Sequence, residues 1–209
     1  MEWQMQRIKK EELEKLSIFL VEQYAEKELE VLFRGIDSAK IKNYMAKNFY
    51  YELEKYYKYG DIFVYDDNLT AAIVGMKNKD RTLIGKIPTM LKALKIKSDF
   101  SKEETKQLKE NALIMKNVTN LDWYKKHCSK TDSYYFGQFA IDKAFRGKGI
   151  CREMLENLFN SISESIIVLE THDSNTVSIY EHFGFKLAET KVSKDKSIVE
   201  YRLIKGVEK

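Results

Sequence analysis

The 209-residue chain reads as a single domain of the α/β (α+β) class, on three observations. Apolar residues recur at helical spacing through the first third. After Gly60, and again from Ser133, the pattern changes to short β-rich runs. One proline and no Gly/Ser-rich linker interrupt any of this, so no domain boundary is visible, and 44% apolar and 12% aromatic residues suffice for one well-buried core.

The elements follow in order. Leu13, Leu16, Phe19, Leu20 and Tyr24 share one helix face, and Ile41, Tyr44, Met45, Phe49, Leu53 and Tyr56 share another, so the first third is mainly two amphipathic helices. Beyond Gly60, IFVY and LTAAIVGM read as two strands, and Asp66, Asp67 and Asn68 between them suit a hairpin turn. Residues 86–126 read as helical again: Pro88 is acceptable in a first turn, and SKEE, Ser101–Glu104, has capping-box spacing. Seven lysines between Lys86 and Lys109 read as a solvated helix face before a partner-binding surface. From Ser133 the order is strand, helix, strand, helix, strand: SYYFGQFAI, the helix after Gly147, SIIVLE, a short helix that Ser174 can cap and Gly184 can end, and FKLAETKV.

Composition excludes several function classes. No window approaches the roughly 18 uncharged apolar residues of a membrane span, and MEWQMQRIKK lacks the apolar centre of a signal peptide. A soluble cytoplasmic protein without a membrane partner is expected. Cys128 and Cys151 are far apart and have no Cys-x-x-Cys spacing, which argues against a disulfide framework and a zinc site. With only His127, His172 and His182 besides, no metal is expected. The net charge of +4 comes from 36 basic and 32 acidic residues, mostly interspersed. That is a solvated surface rather than a nucleic-acid stripe, although the excess suits an anionic ligand.

The stretch FAIDKAFRGKGICREMLENLF, residues 139–159, is the most informative. A strand through Phe139 and Ile141 feeds a helix whose Ile150, Met154, Leu155, Leu158, Phe159 and Ile162 form one stripe, so the glycines stand at a helix amino terminus. Free N–H groups and the positive end of the helix dipole point outward there, and glycine lets an anion approach the main chain. Neither the Walker pattern nor the dinucleotide pattern fits, since Arg152 stands where the latter needs its third glycine. A tight strand-to-helix turn would use the same glycines.

A second motif makes the first specific. Arg146-x-x-Gly149-x-Cys151 behind a strand, followed by Asn175, Tyr180 and Gly184-Phe185 in THDSNTVSIYEHFGFKL, resembles the GNAT superfamily of acyl-CoA-dependent N-acyltransferases over roughly residues 133–205. The resemblance implies a single mixed, mostly antiparallel sheet of six to seven strands flanked by helices, with splayed central strands at the acyl-CoA site. Residues 1–130 would form the acceptor side with a helical insert, and residues 133–205 the acyl-CoA-binding core. It implies acetyl-CoA as acyl donor, its pyrophosphate wrapped by the backbone of Arg146, Gly147, Lys148, Gly149, Ile150 and Cys151. Cys151 departs from the family's small final residue, and a reactive thiol at the helix terminus is its other reading. The strand Phe139, Ala140 and Ile141 would pair with the pantetheine arm like an added strand, and Asn175 would contact the coenzyme or the neighbouring strand.

The chemistry implied is transfer of an acetyl group to a primary amine by direct attack through a tetrahedral intermediate. The oxyanion wants a fixed N–H, from the strand around Phe139 or Ala140. The leaving thiolate wants an acid, and Tyr180 matches the family position that supplies it; otherwise Tyr180 packs with Val177 and Phe183. A base is expected because alkylamines are mostly protonated at neutral pH. SYYFGQFAI contains none of the glutamates that serve in relatives, so Glu170 is the candidate, with His172 or a water held by Gln138 still open. His127 lies just before this strand. A catalytically silent acyl-CoA-binding module and a nucleic-acid-associated protein are the other function classes, the latter suggested only by the basic pI and the lysines. The acceptor, a small-molecule or peptide amine, is not legible, since fold does not dictate substrate. Homodimers are common in the family.

Overall fold

A computed structural model of the chain describes residues 6–24, 33–81, 100–115, 118–163 and 166–206. Pro88 and the lysines before Lys102 lie outside the described residues. The elements are β1 (Gln6–Arg7), α1 (Leu13–Tyr24), α2 (Ser38–Tyr59), β2 (Asp61–Val64), β3 (Ala71–Lys77), α3 (Lys102–Met115), β4 (Ser133–Ile141), α4 (Ile150–Ser161), β5 (Ile166–Thr171), α5 (Ser174–His182), β6 (Lys186–Val192) and β7 (Val199–Gly206). The two helices of the first third, the hairpin and the strand–helix alternation are present. Of the helical stretch expected over residues 86–126, the described part is an α-helix over Lys102–Met115 and a 3-10 turn over Trp123–Lys126, and β1 and β7 are additional. β1 is too short to show a period, and β7 hides its alternation because its inward positions include Glu200 and Arg202, both buried.

Local chemistry sets the helix starts. The Asp37 side chain accepts from the N–H groups of Ala39 and Lys40 ahead of α2. Ser101 and Glu104 close the capping box ahead of α3, each accepting the other's N–H at 3.1 and 2.8 Å. The expectation for α5 needs correction by one residue: Asp173 is the cap, accepting from Asn175 N–H at 3.1 Å, and Ser174 is the first helical residue. The carboxylate is the stronger acceptor and sits where the chain is still extended.

The seven strands form one sheet in the order β1-β2-β3-β4-β5-β7-β6. Every neighbouring pair is antiparallel except β4 and β5. That parallel pairing holds only where Ser133, Tyr134 and Tyr135 face Ile166, Ile167 and Val168. β4 then runs on to Ile141 paired with β3 alone, while β5 stays with β7 through Thr171. The sheet is therefore mixed, mostly antiparallel and splayed at its centre. A bulge at Gly137 sharpens the bend, the register passing from Gln138 opposite Val74 to Phe136 opposite Gly75. Gly137 is required there, because a Cβ would stand 2.8 Å from the Tyr56 hydroxyl.

Helices cover both faces. On one, Leu13, Leu16 and Leu20 of α1 and Leu53 of α2 pack on Ile62, Val74, Met76 and Ala140; on the other, Met154, Leu155 and Leu158 of α4 and Tyr180 of α5 pack on Ile73, Phe136, Ile167 and Leu169. Trp123 and Tyr124 continue the first face over Val168. Truncating any of the fully buried leucines to alanine costs about 2–5 kcal/mol. The splay thus opens between two rigid layers.

Candidate active site

The break at residues 146–149 becomes a left-handed turn. Gly147 has φ +77° and Gly149, the residue that caps α4, has φ +87°, conformations that cost an L-residue but not glycine. No side chain caps α4, and a Cβ on either glycine would meet nothing within 4 Å. The result is an open cradle of backbone N–H groups at a helix amino terminus, which fits a diphosphate. Lys148 lies over the Phe145 ring at 4.6 Å on the rim, and Ile150 is buried beneath. Cys151 is half buried, and burial pushes its thiol up to about 11, against only a partial offset from Arg152. A thiolate is therefore disfavoured, and the reactive-cysteine reading is set aside.

Beyond the splay, the edge of β4 that faces β5 is occupied by side chains. The Tyr24 hydroxyl, at the end of α1, accepts from Phe139 N–H at 2.9 Å and donates to Phe139 C=O at 2.7 Å. Arg146 Nε donates to Ile141 C=O at 3.1 Å, and its Nη2 to Gln23 Oε1 at 3.1 Å. Backbone groups that β5 no longer serves are thus satisfied by α1 and by the loop itself. Arg146 acts as a staple from the loop to β4 and α1. Ala140 turns the other way, buried against the α1 layer and opposite Ala72.

Tyr180 projects from α5 into the layer beneath the splay, 8% exposed, with Phe136 and Phe185 edge-on at 5.9 and 5.4 Å. Burial holds its phenol well above the usual value, with Tyr24 and Cys151 adding to the effect. It is therefore neutral and carries its proton at physiological pH. Asn175, one turn earlier, is exposed, and its side chain makes no hydrogen bond among the described residues.

Glu170 lies on the opposite face, among residues that no spacing pattern marked. Trp123 Nε1–H donates to its Oε1 at 2.5 Å, and the Tyr135 hydroxyl is its second hydrogen-bonding partner. Burial raises its pKa; Trp123, Tyr135 and Arg81 pull it partly back. Gln138 shares this face, and its buried Oε1 has no hydrogen-bond partner among the described residues. His172 stands 3.7 Å from Glu200, and His127 lies 3.7 Å from Glu189 and edge-on to Trp123. Glu170 and Tyr180 thus flank the splay from its two sides. Among the described residues, no three His, Cys, Asp or Glu side chains gather as a metal site would require, and no described helix is long and apolar enough to cross a membrane.

Residues 120–187 match the model of the acetyltransferase (GNAT) domain family. No curated protein matches the chain. Among solved structures, one described as histone acetyltransferase HPA2 and related acetyltransferase from Corynebacterium glutamicum is similar over 100% of this chain and 98% of its own, at 17% identity and a TM-score of 0.64. Arylalkylamine N-acetyltransferase 2 from Aedes aegypti is similar over 100% of both chains, at 10% identity and a TM-score of 0.61. An N-acetyltransferase from Staphylococcus aureus is similar over 96% of this chain and 99% of its own, at 17% identity and a TM-score of 0.59. At these identities the likeness is one of fold. The chain thus has the fold of these acetyltransferases over its whole length and carries the GNAT domain signature over residues 120–187, which hold the cradle and Tyr180.

Proposed function

We propose that the chain is an N-acetyltransferase that moves the acetyl group of acetyl-CoA to a primary amine by direct attack through a tetrahedral intermediate. The observation that carries this reading is the continuity of the glycine cradle with a β4 edge that β5 has left. A chain carrying a diphosphate at one end and amide groups in its arm matches both parts. Backbone N–H groups of residues 147–151 would hold the diphosphate, and the edge at Phe139, Ala140 and Ile141 the arm, with Asn175 at the mouth. Bound there, acetyl-CoA supplies the activated acyl group and a thiol leaving group.

The chain's own groups supply the rest. Phe139 N–H already donates to an oxygen on the β5 side, so it is placed to stabilise an oxyanion. Tyr180 holds a proton for the leaving sulfur. Glu170, raised by burial, is a stronger base than an exposed carboxylate and takes the proton of the acceptor ammonium.

Thermal unfolding with and without acetyl-CoA tests this reading, with Gly149→Trp as the blocked cradle. At ~100 times the dissociation constant, binding adds ~2.7 kcal/mol, a rise of ~5 to 10 °C for a chain of this size. The wild type is expected to shift and the variant not to. An unmoved wild type defeats the proposal, and a shift without thiol release in the presence of amines identifies a silent binding module instead.

A further inference from the structure

The face that carries Glu170 also holds a cation that the reaction above does not use. Arg81, just beyond β3, lays its guanidinium over the Tyr135 ring at 3.7 Å and donates to Asn78 Oδ1 at 3.1 Å. Asn78 is itself fixed, donating to Ser133 at 2.9 Å in the interior. Among the described residues Arg81 makes no ion pair, although it is near enough to Glu170 for its charge to be felt there. One phenol therefore carries a cation on its ring and an anion at its hydroxyl. Opposite charges in a weakly polar setting normally close on each other. Held apart by Tyr135, each keeps donors or acceptors for a third party, and a guanidinium has five such donors.

Two further observations give this face a direction. The buried Gln138 Oε1 is an acceptor without a donor, on the same side of β4 and next to Phe139. Tyr56 stands over Gly137 at the bulge, near enough to Glu170 and Arg81 for both charges to be felt at its phenol. The wall is aromatic, one end accepts hydrogen bonds, and the other donates them.

We infer that the acceptor is an amino-acid-like molecule, a primary amine that also bears a carboxylate, with its amine toward Glu170 and Gln138 and its carboxylate toward Arg81. This rests on the acetyltransferase reading and names the substrate class for it. In the transfer, the N–C bond to the acetyl carbon forms and the C–S bond of the thioester breaks. The ammonium gives up two protons: Glu170 takes one and releases it to water, and the other ends on the departing sulfur by way of Tyr180. The product is a neutral amide that retains its carboxylate. It keeps its hold on Arg81 and loses its hold on Glu170.

The test is thiol release from acetyl-CoA by the full chain with the common amino acids and, for each, the matched amine lacking the carboxylate. At least one amino acid should exceed its amine in kcat/KM by ~10-fold or more, the usual weight of a charge-assisted hydrogen bond. Arg81→Met should collapse that ratio toward one while its thermal shift with acetyl-CoA persists, which shows that the variant is folded and loaded. Arg81→Lys, which keeps the charge but not the fork, should recover part of it. Amines used as well as their amino acids, a ratio unchanged in Arg81→Met, or acetyl-CoA bound with no amino acid turned over would each overturn the inference. Absence of any acetyl-CoA shift in the wild type would instead bring down the underlying acetyltransferase reading, and the inference with it.

Discussion

In the proposed reaction, Glu170 would serve chemistry at a cost to folding. Its carboxylate is raised by burial first, and the donors Trp123 and Tyr135 reclaim only part of that. A base must be ionised to act, so wild-type activity should climb as pH rises through the elevated pKa. Glu170→Gln should lose that limb and ~100-fold or more of kcat/KM. The sign for stability is opposite. A carboxyl raised on folding contributes stability below its unfolded value and loses it as pH rises through the folded one. At pH 7 to 8 the glutamine variant should therefore unfold no lower than the wild type. A pH–rate profile and a melting curve on the same two proteins check both, and a variant with full activity and an unchanged profile removes Glu170 from the mechanism. Glu170 and Tyr180 could be named from the sequence because both stand at the ends of legible elements. Arg81, Trp123 and Tyr135 could not, because their role lies in meeting across elements far apart in the chain.

At the scale of elements, one hydroxyl of α1 holds the edge of β4. Tyr24 read as the last apolar position of an amphipathic stripe, and its ring does pack on Phe49 at 6.1 Å. Its hydroxyl, however, holds both the N–H and the C=O of Phe139, the edge that the proposed reading gives to the acyl donor. Tyr24→Phe removes the competitor and leaves that edge short of partners in the free protein, a change of about 1 kcal/mol for each net hydrogen bond. Acetyl-CoA should then bind the variant roughly 5- to 10-fold more tightly. Titration calorimetry reads this directly, and equal or weaker binding would show that Tyr24 and the acyl donor do not compete. β7 illustrates the converse difficulty. Its Glu200 and Arg202 look like surface residues in sequence, yet both face inward, so the alternation that marks a strand is reversed in polarity.

For the molecule as a whole, Arg202 ties β7 and β6 to the segment that precedes β4. It is 1% exposed, donates to Glu200 at 2.7 Å, to Glu189 on β6 at 2.8 Å and to the Val118 carbonyl at 2.6 Å, and lies beside Trp123. Arg202→Met would strand Glu200, 3% exposed, without its counter-charge. Breaking a buried pair from one side costs about 3–5 kcal/mol, so the melting temperature should fall by about 6 to 20 °C. A fall below ~2 °C would mean that the network adds little.

Local features were legible along the chain. Helical stripes, the capping box at Ser101 and Glu104, the hairpin turn and the two glycines ahead of α4 depend on neighbours within a few residues, and each is where its spacing put it. Packing alone set what depends on closure of the sheet: the end of β4–β5 pairing after Tyr135, the hydroxyl of Tyr24 on Phe139, and the meeting of Arg81, Tyr135, Trp123 and Glu170 on one face. The reason is physical. Local preferences act through chain connectivity, whereas buried polar groups take whichever partner the packed layers bring within hydrogen-bonding distance, and no spacing along one chain encodes that choice.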